Sequence, residues 1–384
     1  MSKMICDADL CTGCGLCTDA CPFDAVSQVS DAHGFYVPVT DSEKCTDCGV
    51  CREVCPINSK KGNGAKKVYA SYAKDPDVRK RSSSGGIFRL LADKTLESGG
   101  VVAAVGYDGS FRAVYKIADS PAELDELMGS KYTESAPDGI YSKVKEYLDR
   151  GVRVLFVGTP CRVAAIKNLI PDDERLLTVD LICHGVPSAK LLESFLSENF
   201  SGKIKEVHFR DKTKGWQEFS MKVDEEGKKP YVVSQYKDPY LRVFLGNSAL
   251  RECCYDCRFK DDNYRSDITL GDFWGISSCI PSMNDDRGTS AVVIRTDAGA
   301  DAFEKIRGLV VCKETDEASL TRANAALIKS SKKPASRDDM LACLRRGDGF
   351  SAIAEHFGKP APATVIISER IKRAAKKILG KIKK

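Results

Sequence analysis

The sequence has no apolar run approaching the roughly 20 residues that a bilayer-spanning helix needs. Nor does the segment 1–6 have the basic-then-apolar order of a secretory leader. Without a leader, seventeen cysteines point to a reducing cytoplasm and away from a disulfide scaffold. A C-x3-C-x2-C run is missing too, which argues against radical chemistry through S-adenosylmethionine. Histidine is scarce, with four in 384 residues. Acid is absent from residues 370–384, which carry Arg370, Lys372, Arg373, Lys376, Lys377, Lys381, Lys383 and Lys384. The net charge of +5 therefore belongs to a tail, the remaining chain is net acidic, and a nucleic-acid-binding body is not indicated.

What is present is cysteine at two repeated spacings. Cys11-x2-Cys14-x2-Cys17-x3-Cys21-Pro22 recurs 34 residues later as Cys45-x2-Cys48-x2-Cys51-x3-Cys55-Pro56. This is the run of bacterial ferredoxins, in which the fourth cysteine of each copy ligates the other cluster. Three thiolates on one tight loop cap one face of a cubane, and the partner repeat supplies the remaining corner. Cys11, Cys14, Cys17 and Cys55 are thus expected to hold one [4Fe-4S] cluster, and Cys45, Cys48, Cys51 and Cys21 the other. Zinc is the weaker reading, because zinc sites use two spaced pairs per ion.

The chain divides by pattern into a ferredoxin-type unit (1–58), a polar linker (59–67), a first α/β part (68–150), a second part (151–357), and a hinge with a basic tail (358–384). Helical apolar spacing recurs at 87–97, 138–150 and 189–200, and short apolar strands at 101–105, 152–157 and 176–183. Strand, loop and helix in succession predict an α/β domain with a largely parallel sheet. In such sheets ligands lie outside the carboxyl ends of the strands. After 204 the pattern turns to strands, with helices expected at 298–307 and 318–328. The fold class is therefore an α+β ferredoxin-like domain fused to an α/β domain with a strand-rich C-terminal part and a basic amphipathic terminal helix.

Beyond the ferredoxin-type unit eight further cysteines are dispersed, and Cys6 precedes its first run. Cys254-x2-Cys257 has metal-type spacing, and Cys161 and Cys183 each follow a predicted strand. A third cluster, a zinc site or a redox pair all suit such a set. Cys6, Cys253, Cys279, Cys312 and Cys343 read as small hydrophobes.

The chain resembles the beta-subunit family of coenzyme F420 hydrogenase/dehydrogenase, iron–sulfur flavoproteins that include 7-hydroxymethyl chlorophyll a reductase. The resemblance rests on Ser82-Ser83-Ser84-Gly85-Gly86, Gly129-Ser130-Lys131-Tyr132, Gly158-Thr159-Pro160-Cys161, Ile182-Cys183-His184-Gly185, and Cys254-Tyr255-Asp256-Cys257 with the stretch Ser266 to Gly275. It covers roughly residues 68–330. It implies FAD or a related flavin, and a third [4Fe-4S] cluster on Cys161, Cys183, Cys254 and Cys257. Ser83, Ser84, Gly85 and Gly86 precede a helix and suit a pyrophosphate, or else simply cap that helix. Gly158, Thr159 and Pro160 let backbone approach a flavin ring, or form a tight turn. Lys131 neutralises a flavin anion or is solvated. Asp272 binds ribityl hydroxyls or orients a loop. His184 is the candidate proton donor, against a structural histidine.

The expected function is an iron–sulfur flavin-dependent oxidoreductase acting on an unidentified organic substrate, with a ferredoxin or other redox protein as partner. The alternative is a non-catalytic electron-transfer subunit that wires a separate partner. Residues 369–384 place apolar and basic side chains on opposite helical faces, suiting an anionic membrane surface or an acidic protein. The expected location is cytoplasmic, including the inner face of the membrane.

Overall fold

The computed structural model describes residues 4–58 and 62–382, with side chains as far as residue 373. Positions 59–61 of the expected linker and the last basic residues lie outside that range.

The two cysteine runs fold alike. Gly15 (φ 78°) and Gly49 (φ 84°) occupy the left-handed region, where glycine carries no Cβ penalty, and each turns the chain into a one-turn helix. These helices, Leu16–Asp19 and Val50–Glu53, carry the third cysteine of each run. An antiparallel hairpin, β1 (Val26–Ser30) and β2 (Tyr36–Thr40), separates the runs.

The body holds β3 (Lys67–Ala73), β4 (Val101–Tyr107), β5 (Ala113–Ala118), β6 (Val154–Gly158), β7 (Leu176–Leu181), β8 (Ile204–Asp211), β9 (Ser220–Glu225), β10 (Tyr231–Ser234), β11 (Ile268–Asp272), β12 (Ser290–Ile294) and β13 (Val310–Thr315). Eight of them form one sheet in the order β13-β3-β12-β11-β7-β6-β4-β5. At its centre β4, β6, β7 and β11 are parallel neighbours. Antiparallel pairings at both margins bring β3 into the same direction as these four, so the sheet is largely parallel.

Burial on both faces explains why β6 reads Val-Leu-Phe-Val-Gly without alternation. Leu155 and Val157 join the core under the helix Ile87–Glu97, while Val154 and Phe156 join the one under Ile140–Asp149 and Pro160–Leu169. The sheet crosses the expected 150/151 division, since β4 pairs with β6. The strand-rich part is split: β8, β9 and β10 form a separate antiparallel sheet, and β11 to β13 complete the main one. Helices Ala189–Asn199, Pro239–Leu245 and Phe350–Phe357 pack on the small sheet around Phe195, Phe209, Tyr240 and Phe350.

The helix expected over 318–328 breaks into Glu317–Thr321 and a 3-10 turn, Ala325–Leu327. Asn324, between them, turns its amide to the carbonyls of Leu320 and Trp274. The expected hinge is also packed: Ala361 N donates to Tyr236 O (2.7 Å).

The N-terminal unit sits on the body as part of its core. Leu16 is completely buried and, with Cys14, joins Val101, Ile140, Tyr141 and Phe156 in one cluster. Full burial of one leucine contributes about 1.5–3 kcal/mol. The described part of the linker is bonded down as well, with Asn63 N donating to Tyr264 O (2.6 Å).

Candidate functional site

Among the described residues cysteines line three of the cavities. The outer one is formed by Cys21, Cys45, Cys48 and Cys51 together with Pro22 and Gly49. The inner one is formed by Cys11, Cys14, Cys17 and Cys55. The crossed pairing of the two runs is therefore the arrangement in space. Backbone amides already point at sulfur, as from Ala25 N to Cys21 Sγ (3.3 Å).

The third cavity is lined by Cys161, Cys183, Cys254 and Cys257, with Thr159, Pro160 and His184. It lies at the carboxyl ends of β6 and β7, because Cys161 opens the helix that follows β6 and Cys183 sits in the loop that follows β7. Thr159 Oγ1 lies 3.2 Å from Cys161 Sγ, and Val186 N donates to Cys254 Sγ (3.4 Å). Burial pushes the thiols of Cys161, Cys183 and Cys257 up to about 12 each. Ionising all four in so dry a space would require a multivalent cation opposite them. Thr12 and Ile57 line this cavity and the inner one alike. Phe259 packs between them with Cys55, Ile57, Ala164, Cys161 and Cys257.

Two cysteines that read as small hydrophobes stand at these cavities. Cys6 lines the inner one, its thiol close enough to interact with those of Cys11 and Cys55. Cys253 lines the third and bonds Cys254. Neither belongs to a recognisable spacing, so no sequence signal marks them.

His184 borders the third cavity, with Nε2 2.6 Å from Asn247 Oδ1 and its ring edge on Phe244 at 5.1 Å. Burial lowers its pKa. Phe244 stacks in turn on Tyr132 (4.5 Å), whose hydroxyl accepts from Arg210 Nη1 (3.2 Å).

The Ser82–Gly86 loop is joined to the Gly129–Lys131 loop, since Ser83 Oγ accepts from Ser130 N (2.9 Å). Gly86, not Ser84, is the N-cap of the helix Ile87–Glu97, and no side chain caps it. Gly85 is required by crowding, because a Cβ there would lie 2.4 Å from Ser71 O. Ser84 Oγ is buried without a partner. Three cations that sequence reasoning missed gather near this loop. Lys212 Nζ donates to Ser84 O (3.0 Å) and Arg79 O (2.6 Å), Arg79 pairs with Asp285 (2.6 Å), and Arg210 pairs with Asp272. Burial brings Lys212 down to about 8. These contacts span 62 to 206 residues of sequence, beyond the reach of any local pattern.

Other expected residues serve different neighbours. Asp272 gives its oxygens to Arg210 and to Trp216 Nε1 (2.7 Å). Lys131 Nζ caps the helix Pro121–Leu127 through the carbonyls of Leu127 (3.0 Å) and Met128 (2.8 Å). At Gly158 a Cβ would lie 2.3 Å from the Tyr115 hydroxyl, so packing within the protein requires this glycine. Trp216 and Trp274 stack on each other (4.8 Å). Elsewhere on the surface Glu206, His208 and Asp224 converge on β8 and β9, where His208 takes Glu206 and Lys222 takes Asp224.

Residues 68–138 match the family model for the N-terminal part of the coenzyme F420 hydrogenase/dehydrogenase beta subunit, and residues 151–318 the model for its C terminus. The chain belongs to this beta-subunit family. Residues 10–59 match a 4Fe-4S dicluster domain. This beta-subunit relative is thus an iron–sulfur, electron-transferring protein with the dicluster domain built onto its N-terminal side. No curated protein matches the chain. Among solved structures, a chain of the F420-reducing [NiFe] hydrogenase complex from Methanosarcina barkeri, studied as a xenon derivative, is similar at 19% identity. That match covers 78% of this chain and 97% of the other, with a TM-score of 0.47. Among the described residues no helix is long and apolar enough to cross a membrane.

Proposed function

We propose that this family member is an iron–sulfur flavin-dependent oxidoreductase for an organic substrate, with a third [4Fe-4S] cluster on Cys161, Cys183, Cys254 and Cys257. The observation that carries the reading is the convergence of these four cysteines, from three separate segments, on a cavity sharing Thr12 and Ile57 with the inner dicluster cavity. Bound to the chain, FAD or a related flavin supplies the exchange between one-electron and two-electron chemistry.

The protein's own residues support that role in several ways. Ile57 and Phe259 keep the gap between the inner and third cavities dry. Ser83, Ser84, Gly85 and Gly86 offer an uncapped helix N-terminus and a buried hydroxyl in want of a partner, which suits a pyrophosphate. Lys212, Arg79 and Arg210 bring three positive charges against two carboxylates, Asp285 and Asp272, leaving one positive charge for an anion. His184, fixed by Asn247, is the proton donor at the third cavity's edge that the proposal uses. A redox protein meets the outer cavity, where Cys48 is exposed. The basic terminal helix rests on an anionic membrane surface.

Anaerobic purification with cofactor analysis tests the reading. The expected result is about twelve irons, four per cluster, and a flavin spectrum that bleaches on reduction. Lys212→Met with Ser84→Ala is expected to lower flavin content at unchanged iron. About eight irons and no flavin would overturn the proposal and leave an electron-transfer subunit that wires a separate partner.

A further inference from the structure

Arg162 follows Cys161 directly, in the first turn of the helix Pro160–Leu169, and is buried. Its Nη1 donates to the carbonyl of Cys14 and its Nη2 to that of Ser135 (2.6 Å). The Tyr141 hydroxyl donates to the same Cys14 carbonyl (3.0 Å). One side chain therefore joins the inner cavity to the third: it neighbours Cys161 in sequence and holds the backbone of Cys14 in space.

Its charge is unmatched. Arg251, the other guanidinium at this boundary, has Glu134 at 2.6 Å. Among the described residues no carboxylate comes within ion-pair distance of Arg162, whose bonds go to carbonyls. The nearest acids in its field are Asp19 and Glu134. Asp19 is engaged by the amides of Tyr141 and Ser142, and Glu134 by Arg251. A guanidinium does not lose its proton in a protein, so the charge is fixed.

We propose that Arg162 is a positioning residue that sets the direction of electron flow, raising the reduction potential of the inner and third sites above that of the outer one. Reduction adds one electron and no proton to a cluster, making the site one unit more negative. A buried cation stabilises that state strongly where the dielectric is low. The outer site, with Cys48 exposed, is screened by water and lies away from Arg162. Local charge, hydrogen bonding and solvent exposure are the quantities that set such potentials.

The inference rests on the proposed third cluster for its far side only; the inner site belongs to the dicluster domain. The test is an anaerobic redox titration of the full chain, followed by electron paramagnetic resonance, with iron counted in every sample. Arg162→Gln removes the charge and, with its shorter side chain, the bond to Cys14 O, whereas Arg162→Lys keeps the charge. The expected result for Arg162→Gln is a fall of the highest midpoint by at least tenfold in the reduction equilibrium, about 59 mV for one electron. The lowest midpoint stays, and Arg162→Lys remains near the parent. Tyr141→Phe, which removes a neutral donor from the same carbonyl, is expected to shift the midpoint far less. Unchanged midpoints in Arg162→Gln at full iron content overturn the proposal, as does an equal fall in Arg162→Lys or Tyr141→Phe. A parent count of about eight irons removes the third cluster while leaving the comparison of inner and outer sites intact.

Discussion

Arg251 and Glu134 form a buried ion pair at 2.6 Å, and both partners also bind the N-terminal unit. Arg251 Nη2 donates to Tyr36 O (2.7 Å) and Nη1 to Cys11 O (3.2 Å), while Glu134 Oε2 accepts from Tyr36 N (3.1 Å). The pair is a clamp between dicluster unit and body. Breaking one side of a buried pair leaves an uncompensated charge, at a cost of about 3–5 kcal/mol. Arg251→Met should therefore speed proteolysis between the unit and the body, and Arg251→Met with Glu134→Leu should recover part of the loss. Equal protease resistance in parent and single variant would refute the clamp.

The crowding of five cysteines at the third cavity separates ligand from neighbour. Cys254→Ala is expected to cost about four irons, one cubane. Cys253→Ala, which removes only the thiol bonded to Cys254, should retain them. Iron and sulfide analysis of anaerobic samples decides; the opposite pattern would make Cys253 the ligand.

Asp180 lies fully buried on β7, with Oδ1 accepting from Thr269 Oγ1 (2.6 Å) and Oδ2 unpartnered. Burial pushes its carboxyl up to about 7. A carboxyl with a folded pKa above its unfolded one keeps its proton longer in the folded state. Its contribution to stability therefore falls as pH rises from about 4 towards 7, by roughly 1.4 kcal/mol per unit inside that window. Asp180→Asn should flatten this slope. Thermal midpoints at pH 5 and pH 8 measure it, and a variant with the parent's slope would show that another group is responsible.

On the terminal helix Ala363–Ile382, Arg370 and Arg373 pair with Glu218 (2.6 and 2.7 Å), fixing it to the body. Val365, Ile367 and Ile371 remain exposed, at 45, 57 and 63%. Basic residues beside the exposed pair Ile367 and Ile371, one turn apart on the same face, suit an anionic interface. Vesicles containing phosphatidylglycerol should retain the full chain at low salt, and pure phosphatidylcholine should not. Ile367→Asp with Ile371→Asp should reduce retention at least fivefold. Indifference to lipid charge would assign the helix to a protein partner.

The parts legible in the sequence are those governed by local spacing. The cysteine runs announce their crossed pairing, and the buried strands β6 and β7 show as apolar runs because helices cover both sheet faces. The strands β1, Val-Ser-Gln-Val-Ser, and β13, Val-Val-Cys-Lys-Glu-Thr, carry too few apolar residues to stand out; their partners β2 and β3 hold them. Lys131 and Asp272 were legible as special but their partners were not, since the carbonyls of Leu127 and Met128 and the guanidinium of Arg210 come from packing. Arg162 bears no signal of its own, because its significance depends on Cys14, 148 residues away.

The inner cavity also has a history in time. Its cysteines are made first, yet Arg251, which closes on Cys11 O, is separated from it by 240 residues. Until that stretch has been synthesised, Leu16, Cys14 and the edge at Tyr36 have no body to cover them. A nascent or truncated N-terminal unit thus presents a raw interface where the finished protein has an interior. The unit is a module in its sequence pattern and a dependent half in its assembly.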